Sequence, residues 1–140
     1  MAEALYTAIA TARGDGRNGE VTSSDGVVDE QLAIPKEMGG PGGAKTNPEQ
    51  LFAAGYSACF HSALQLVARQ AKVALTESEI TAEVSLVKDS VAFVLAVKLT
   101  AHLPGLEQGL ANELVAQAHQ TCPYSRATRG NIEVEVAATT

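Results

Sequence analysis

The chain has 140 residues, 46% of them hydrophobic and 19% charged, which provides for a single domain over residues 1–140 and excludes both a multidomain machine and a disordered chain. Ten Lys and Arg against sixteen Asp and Glu leave a formal charge of −6. With no basic run to neutralise phosphates and few aromatic platforms for stacking, no nucleic-acid partner is expected.

Residues 5–12 alternate Leu5, Thr7, Ile9 and Thr11 with Tyr6, Ala8, Ala10 and Ala12, the pattern of a strand. A Gly-rich connection, RGDGRNG, follows. Strands around Glu20–Ser24 and Val27–Ile34 flank Asp25-Gly26, a type I′ hairpin signal, so the N-terminal third reads as a β-meander. The segment PKEMGGPGGAKTN, Pro35 to Asn47, has little to bury and reads as a long loop. Asn47 as cap, Pro48 at the first helical position and Gln50 three residues after the cap start a helix that is expected to run to about Gln70. Apolar residues occupy nearly every side of it, so it is expected to be the central buried helix. Tyr56, Ser57, His61, Ser62 and Gln65 interrupt its apolar run, which argues against a membrane span. Two strands come next, near Ile80–Lys88 and Val91–Leu103. Leu106, Leu110, Leu114 and Ala118 then recur every four residues on a second helix that should stop before Cys122-Pro123. Ile132, Val134 and Val136 alternate with glutamates on a last strand. The order βββ-α-ββ-α-β is that of an α+β domain with sheets packed on two helices.

The chemistry-bearing residues are few. Cys59 lies about three turns into the first helix, and Cys122 opens CPYSRATRGN after the second. The N-terminus has no basic segment followed by an apolar run, so no secretory signal is expected and the cytoplasm is the default compartment. There, two cysteines are reactive, metal-binding or inert core thiols. His61 and His119 sit close enough in sequence to offer C-x-H and H-x-x-C to a zinc ion, yet positions two apart on a helix diverge by about 200°, which makes Cys59 and His61 poor co-ligands. His119 is expected instead to cap the second helix and interact with its dipole. Glu49, in the first helical turn, has capping as its simplest role. It lies about 15 Å from Cys59 along the helix, so only a long cation such as Arg17 bridges the two. Arg13, Arg126 and Arg129 are the other arginines in loops near the helix pair.

The run TNPEQLFAAGYSACF, the loop before it, the segment AHQTCPYSRATRGNIEVEV and the opening LYTAIATA closely resemble the organic hydroperoxide resistance proteins of the Ohr/OsmC family. The resemblance spans essentially the whole chain, and TNPEQLFAAGYSACF favours the organic-hydroperoxide branch. It implies an OsmC-like fold in an intertwined homodimer with active sites at the interface, and a thiol peroxidase that reduces organic hydroperoxides, lipid ones included. By the same resemblance Cys59 is the peroxidatic cysteine, Cys122 the resolving one, Glu49 the catalytic-site glutamate, and an arginine of the early turn the stabiliser of the thiolate. That turn is one residue longer than the family pattern and offers Arg13 or Arg17; counting back from Ser23-Ser24-Asp25-Gly26 selects Arg17. Arg126 stands where the family usually has Asn, and KDSVAFVL lacks the glycines common there. No cofactor or metal is implied, and the reductant is a lipoyl dithiol, dihydrolipoamide or a lipoylated protein. Phe52, Tyr56, Phe60 and the Met38 loop are expected to suit the apolar tail of a peroxide. The competing readings are a Cys/His metal-binding module and a non-catalytic carrier of apolar ligands.

Overall fold

The computed structural model describes residues 2–140, which divide into two compact units, the described residues through Leu51 and Phe52–Thr140. In the first unit a three-stranded antiparallel sheet is built in chain order from β1 (Ala10–Arg13), β2 (Glu20–Ser23) and β3 (Asp29–Gln31), with Ala10 opposite Ser23 and Glu20 opposite Gln31. The first strand is shorter than its alternation predicts. β2 offers only four residues of ladder, so Leu5, Tyr6 and Ile9 lie before β1 with side chains 103%, 80% and 57% exposed.

The turn at Asp25-Gly26 differs from expectation as well. A type I′ turn needs positive φ at both central residues, and here Gly26 has φ 76° while Asp25 does not enter the left-handed region. Gly26 N–H bonds Ser23 O at 3.0 Å, and Asp25 Oδ1 accepts from Ser23 Oγ and from Val27 N–H. Side-chain hydrogen bonding by Asp25 thus holds a wider loop between β2 and β3. The segment after β3 is a loop, as expected, but a paired one. Ala33 N–H bonds Thr46 O, Thr46 N–H bonds Gln31 O, and Gly42 N–H bonds Ile34 O, at 3.0, 3.1 and 3.0 Å.

Helix α1 (Pro48–Gln70) begins and ends where the sequence marks it. Asn47 Oδ1 caps it by accepting the Gln50 N–H at 2.8 Å, while the Gln50 side chain accepts from Thr46 Oγ1 at 2.8 Å instead of reaching back to the cap. Burial on every side is not what α1 shows. It buries Tyr56, Phe60, Ala63, Leu64, Val67 and Ala68, and leaves Leu51, Ala54, Ala58 and Leu66 at the surface of the chain. α1 is long and apolar enough to cross a membrane, but its buried residues belong to the core.

The second unit holds the core. β4 (Glu79–Lys88) pairs antiparallel with β5 (Phe93–His102), and β6 (Glu133–Thr139) adds to β5 in parallel. Parallel pairing requires a crossover, supplied by α2 (Gln108–Thr121) and a short helix, α3 (Pro123–Thr128). α2 starts with the Glu107 carboxylate accepting from the N–H groups of Gly109 and Leu110. Its apolar stripe, Ala111, Leu114, Val115 and Ala118, packs with Val97, Leu99, Ala101 and Leu103 of β5 and its end and with the buried face of α1. The observed order is βββ-α-ββ-α-β with α3 added between α2 and β6.

Leu64 is fully buried in this cluster. Leu64→Ala should lower unfolding stability by roughly 2–5 kcal/mol, through lost transfer energy and the cavity left behind. A urea titration reads this as a lower midpoint with an unchanged slope.

Candidate active site

Two pairs of residues with chemistry occur, one in each unit. In the first, Arg17 lies on a single 3-10 turn, Gly16–Asn18, closed by Asn18 N–H to Asp15 O at 3.0 Å and Gly19 N–H to Gly16 O at 2.9 Å. Glycine is required at position 19, because a Cβ there would stand 2.3 Å from Arg13 O and 2.8 Å from Asp15 N. The Asn18 side chain ties the turn down further by accepting the Ile34 N–H at 2.9 Å. So held, the Arg17 guanidinium meets Glu49 through two parallel bonds, Nη1 to Oε1 at 2.6 Å and Nη2 to Oε2 at 3.2 Å. This fork is the strongest geometry available to an arginine and a carboxylate. Hydrogen bonding to Glu49 raises the Arg17 pKa above its ordinary value, although partial burial acts the other way. Arg13, at the exposed end of β1, takes no part in the pair.

The second pair is the thiols. Cys59 is half-buried on α1, and Cys122 is fully buried at the corner between α2 and α3. Proline after Cys122 makes that corner: the residue before a proline avoids helical geometry, and Cys122 has φ −60° and ψ 124°, while Pro123 itself is well suited to open α3. Across it the Cys122 thiol donates to Cys59 Sγ at 3.6 Å. Burial pushes the Cys59 thiol above its ordinary pKa, the Tyr124 backbone N–H pulls it back, and the neighbouring Cys122 thiol adds to the rise.

A family model described as OsmC-like protein matches residues 40–137. An organic hydroperoxide resistance protein of Xanthomonas axonopodis pv. citri is 50% identical over 131 residues, 93% of this chain and 92% of that protein. Among solved structures, an organic hydroperoxide resistance protein OsmC from Legionella pneumophila superposes with a TM-score of 0.92 at 51% identity, covering 99% of this chain and 100% of that one. A Vibrio cholerae structure, described as a putative organic hydroperoxide resistance protein with captopril bound in one of its active sites, gives 0.89 at 50% identity, with coverages of 97% and 93%. The chain belongs to the OsmC-like family, in the branch of the organic hydroperoxide resistance proteins.

In this OsmC-like chain the two histidines beside the thiols turn elsewhere. His61 Nε2 bonds Ser78 Oγ at 2.8 Å, in the wall of a cavity of about 590 Å³ that neither thiol lines. His119 does not cap α2. Its Nδ1 bonds Ser125 Oγ at 2.8 Å, and burial first, then the charge of Arg129, lowers its pKa, so the cation that would favour a helix C-terminus is disfavoured. Arg129 takes over the capping, donating from Nη1 to His119 O at 2.8 Å. Among the described residues no three His, Cys, Asp or Glu side chains gather as metal ligands would.

The apolar surroundings also differ from expectation. Tyr56 and Phe60 are fully buried core residues and line no surface, whereas Phe52 and the half-exposed Tyr124 remain accessible near the thiols. Tyr124 rests edge-on to Phe52, with ring centroids 6.0 Å apart, and lies 5.5 Å from Tyr56. Gly55 permits this, since a Cβ there would stand 2.6 Å from the Tyr124 hydroxyl. Tyr124, Ser125 and Thr128 were not singled out by sequence; the signal for them is Pro123, which starts a helix that aims these three residues.

Gly19→Ala should break the Arg17–Glu49 pair, because the 3-10 turn must reshape to admit the methyl group. The Arg17 Nη–H resonances, which belong to the protons bonded to Glu49 in the parent, should move to the position of a solvated arginine. Loss of the same signals in Glu49→Ala would identify them.

Proposed function

We propose that this protein is a cysteine-based peroxidase that reduces organic hydroperoxides, including lipid ones, to alcohols. The observation that carries the reading is the unequal exposure of two touching thiols. Cys59 is half-open to solvent and Cys122 is sealed, with the sulfurs 3.6 Å apart. A peroxide therefore meets Cys59 first and finds its resolving partner already in place. Relatives near 50% identity that are named organic hydroperoxide resistance proteins support the substrate class.

The steps balance as follows. The Cys59 thiolate attacks one oxygen of the O–O bond; an S–O bond forms, the O–O bond breaks, and the alkoxide takes a proton to leave as alcohol. The Cys122 sulfur then attacks the sulfenic acid, an S–S bond forms, and water departs. A dithiol reduces the disulfide by exchange, restoring both thiols and becoming a disulfide itself. We assign that role to dihydrolipoamide or a lipoylated protein, because a dithiol completes the second displacement within one molecule at high effective concentration.

The first step needs a thiolate. At an ordinary pKa near 8.5 only about 3% of a thiol is ionised at pH 7, and burial lifts Cys59 further from that state. A cation has to offset this, and Arg17, held by Glu49, is our candidate. It would favour the thiolate and donate to the departing alkoxide. Phe52 and Tyr124 would receive the organic tail. We further propose that both units work as one cytoplasmic domain within a homodimer, in which a second copy covers the apolar side chains of Leu5, Tyr6 and Ile9 that the single chain leaves bare.

Cys59→Ser should abolish hydroperoxide loss, while Cys122→Ser should allow about one turnover and then stop. Free thiols counted before and after one equivalent of cumene hydroperoxide read this directly. A carrier would lose none, and a zinc protein would arrive with metal detectable by elemental analysis. Arg17→Ala should raise the apparent Cys59 pKa by about a unit or more, Glu49→Ala by less, and Arg13→Ala hardly at all; the pH dependence of alkylation measures all three.

Substrate and reductant preferences are separately testable. An organic hydroperoxide should outpace hydrogen peroxide, since each buried CH₂ contributes about 0.8 kcal/mol; equal second-order rates would remove the apolar-tail argument. Turnover with dihydrolipoamide should exceed turnover with glutathione at equal thiol concentration.

A further inference from the structure

Apart from its thiols and one tyrosine, the buried interior is almost wholly hydrocarbon. Among the described residues the buried polar ones are Ser125 and Thr128, and both bond to the same atom. The Tyr56 hydroxyl lies 2.8 Å from Ser125 Oγ and 3.1 Å from Thr128 Oγ1, and His119 Nδ1 reaches Ser125 Oγ from the other side at 2.8 Å. Every buried side-chain polar atom described has a partner. Burying hydroxyls costs stability unless they are bonded, and alanine or valine would fill these positions without that cost. The polar set therefore requires a reason beyond packing.

Its placement supplies one. Tyr56 is three residues before Cys59 on α1, and Ser125 is three residues after Cys122, so each stands one helical turn from a thiol. His119 is three residues before Cys122, in the last turn of α2. The His119–Ser125 bond spans the α2–α3 corner that carries Cys122, and the Tyr56–Ser125 bond ties that corner to the turn of α1 that leads to Cys59. Neither thiol is itself a member. The set acts on the sulfurs only through the backbone positions it fixes.

We propose that Tyr56, Ser125, Thr128 and His119 are positioning residues that hold Cys122 against Cys59, and so decide whether an oxidised Cys59 is resolved to the disulfide or is over-oxidised. The proposal rests on the peroxidase reading above. Over-oxidation is the competing fate: the Cys59 sulfenic acid takes an oxygen from a second hydroperoxide, forming a sulfinic acid and releasing a second alcohol. The disulfide step is the intramolecular one, and a small loss of alignment in such a step slows it steeply. Because burial favours the neutral imidazole of His119, an uncharged amide can take its place in the set.

The test uses rapid mixing of the reduced, full-length protein with cumene hydroperoxide, following hydroperoxide loss and free-thiol loss separately, with mass spectrometry of the Cys59 peptide after excess peroxide. Ser125→Ala and Tyr56→Phe each remove a hydroxyl without enlarging a side chain. In both, hydroperoxide loss should stay within about twofold of the parent while disulfide formation slows by about tenfold, the effect of one hydrogen bond on a barrier. The sulfinic fraction should rise. His119→Leu should behave like them, and His119→Asn, which restores a polar atom near the Nδ1 position, should recover much of the disulfide rate. Disulfide formation at the parent rate in both hydroxyl-deleted variants would overturn the proposal and leave the peroxidase reading standing. Equal slowing of both steps would overturn it too, by showing a general structural role. A parent protein that consumes no hydroperoxide would bring down the peroxidase reading itself, and this inference with it.

Discussion

A helix rising 1.5 Å per residue puts Glu49 about 15 Å from Cys59 along α1, and no side-chain carboxylate spans that distance. This fixed separation shapes the rest of the candidate site. In the proposed reaction Glu49 would serve the sulfur only by holding something longer than itself; what it holds is Arg17, through a two-pronged bond that leaves the guanidinium little freedom. The opposite end of the ruler is equally constrained. Once α1 has set Cys59, a second thiol must come from another element, and the Cys122-Pro123 corner delivers one at 3.6 Å.

The two units contribute different kinds of chemistry. The first has a cation tethered by a carboxylate, on a turn that only glycine at position 19 allows. The second has a pair of thiols set beside a dense hydrocarbon core. Left to that core, Cys59 is poorly ionised, for burial raises its pKa more than the Tyr124 N–H lowers it. An apolar setting and a reactive thiolate are opposing demands. A hydroperoxide with an organic tail makes both necessary, and the proposed function meets them by separating the apolar surface from the charge that activates the sulfur.

What was legible in the sequence was local. Asn47-Pro48 and the run to Gln70 give the limits of α1, because cap, proline and apolar content act within a few residues of one another. The alternation in β6 marks that strand for the same reason. Leu5–Ile9 misled, since alternation states which faces a strand would have but not whether a partner strand is long enough to pair with it. Asp25-Gly26 misled because an aspartate side chain can close a loop by its own hydrogen bonds. Arg17 was separated from Arg13 by counting along a family pattern, and the fork with Glu49, 32 residues away, is a relation no local period encodes. His119 illustrates the same gap: its position suits a helix cap, but its partner, Ser125, lies on a helix whose only announcement is one proline.

Burial of Cys122 has a cost that the rest of the corner must offset. In the proposed reaction a sealed thiol is shielded from peroxide, which preserves it for the second step, but in a close-packed core it has little room to move toward its target. To form the proposed disulfide the two sulfurs would close from 3.6 Å to a bond length of about 2.0 Å, a shift about as large as the 1.5 Å rise of one helical residue. Small displacements of this kind favour a rigid mounting over a mobile one. The α2–α3 corner is mounted in that way, by a proline that fixes its bend, an arginine that caps the carbonyl of His119, and hydroxyls that reach across to α1. Rigidity at Cys122 and accessibility at Cys59 are thus complementary, and the asymmetry between two chemically identical side chains comes from the elements that carry them.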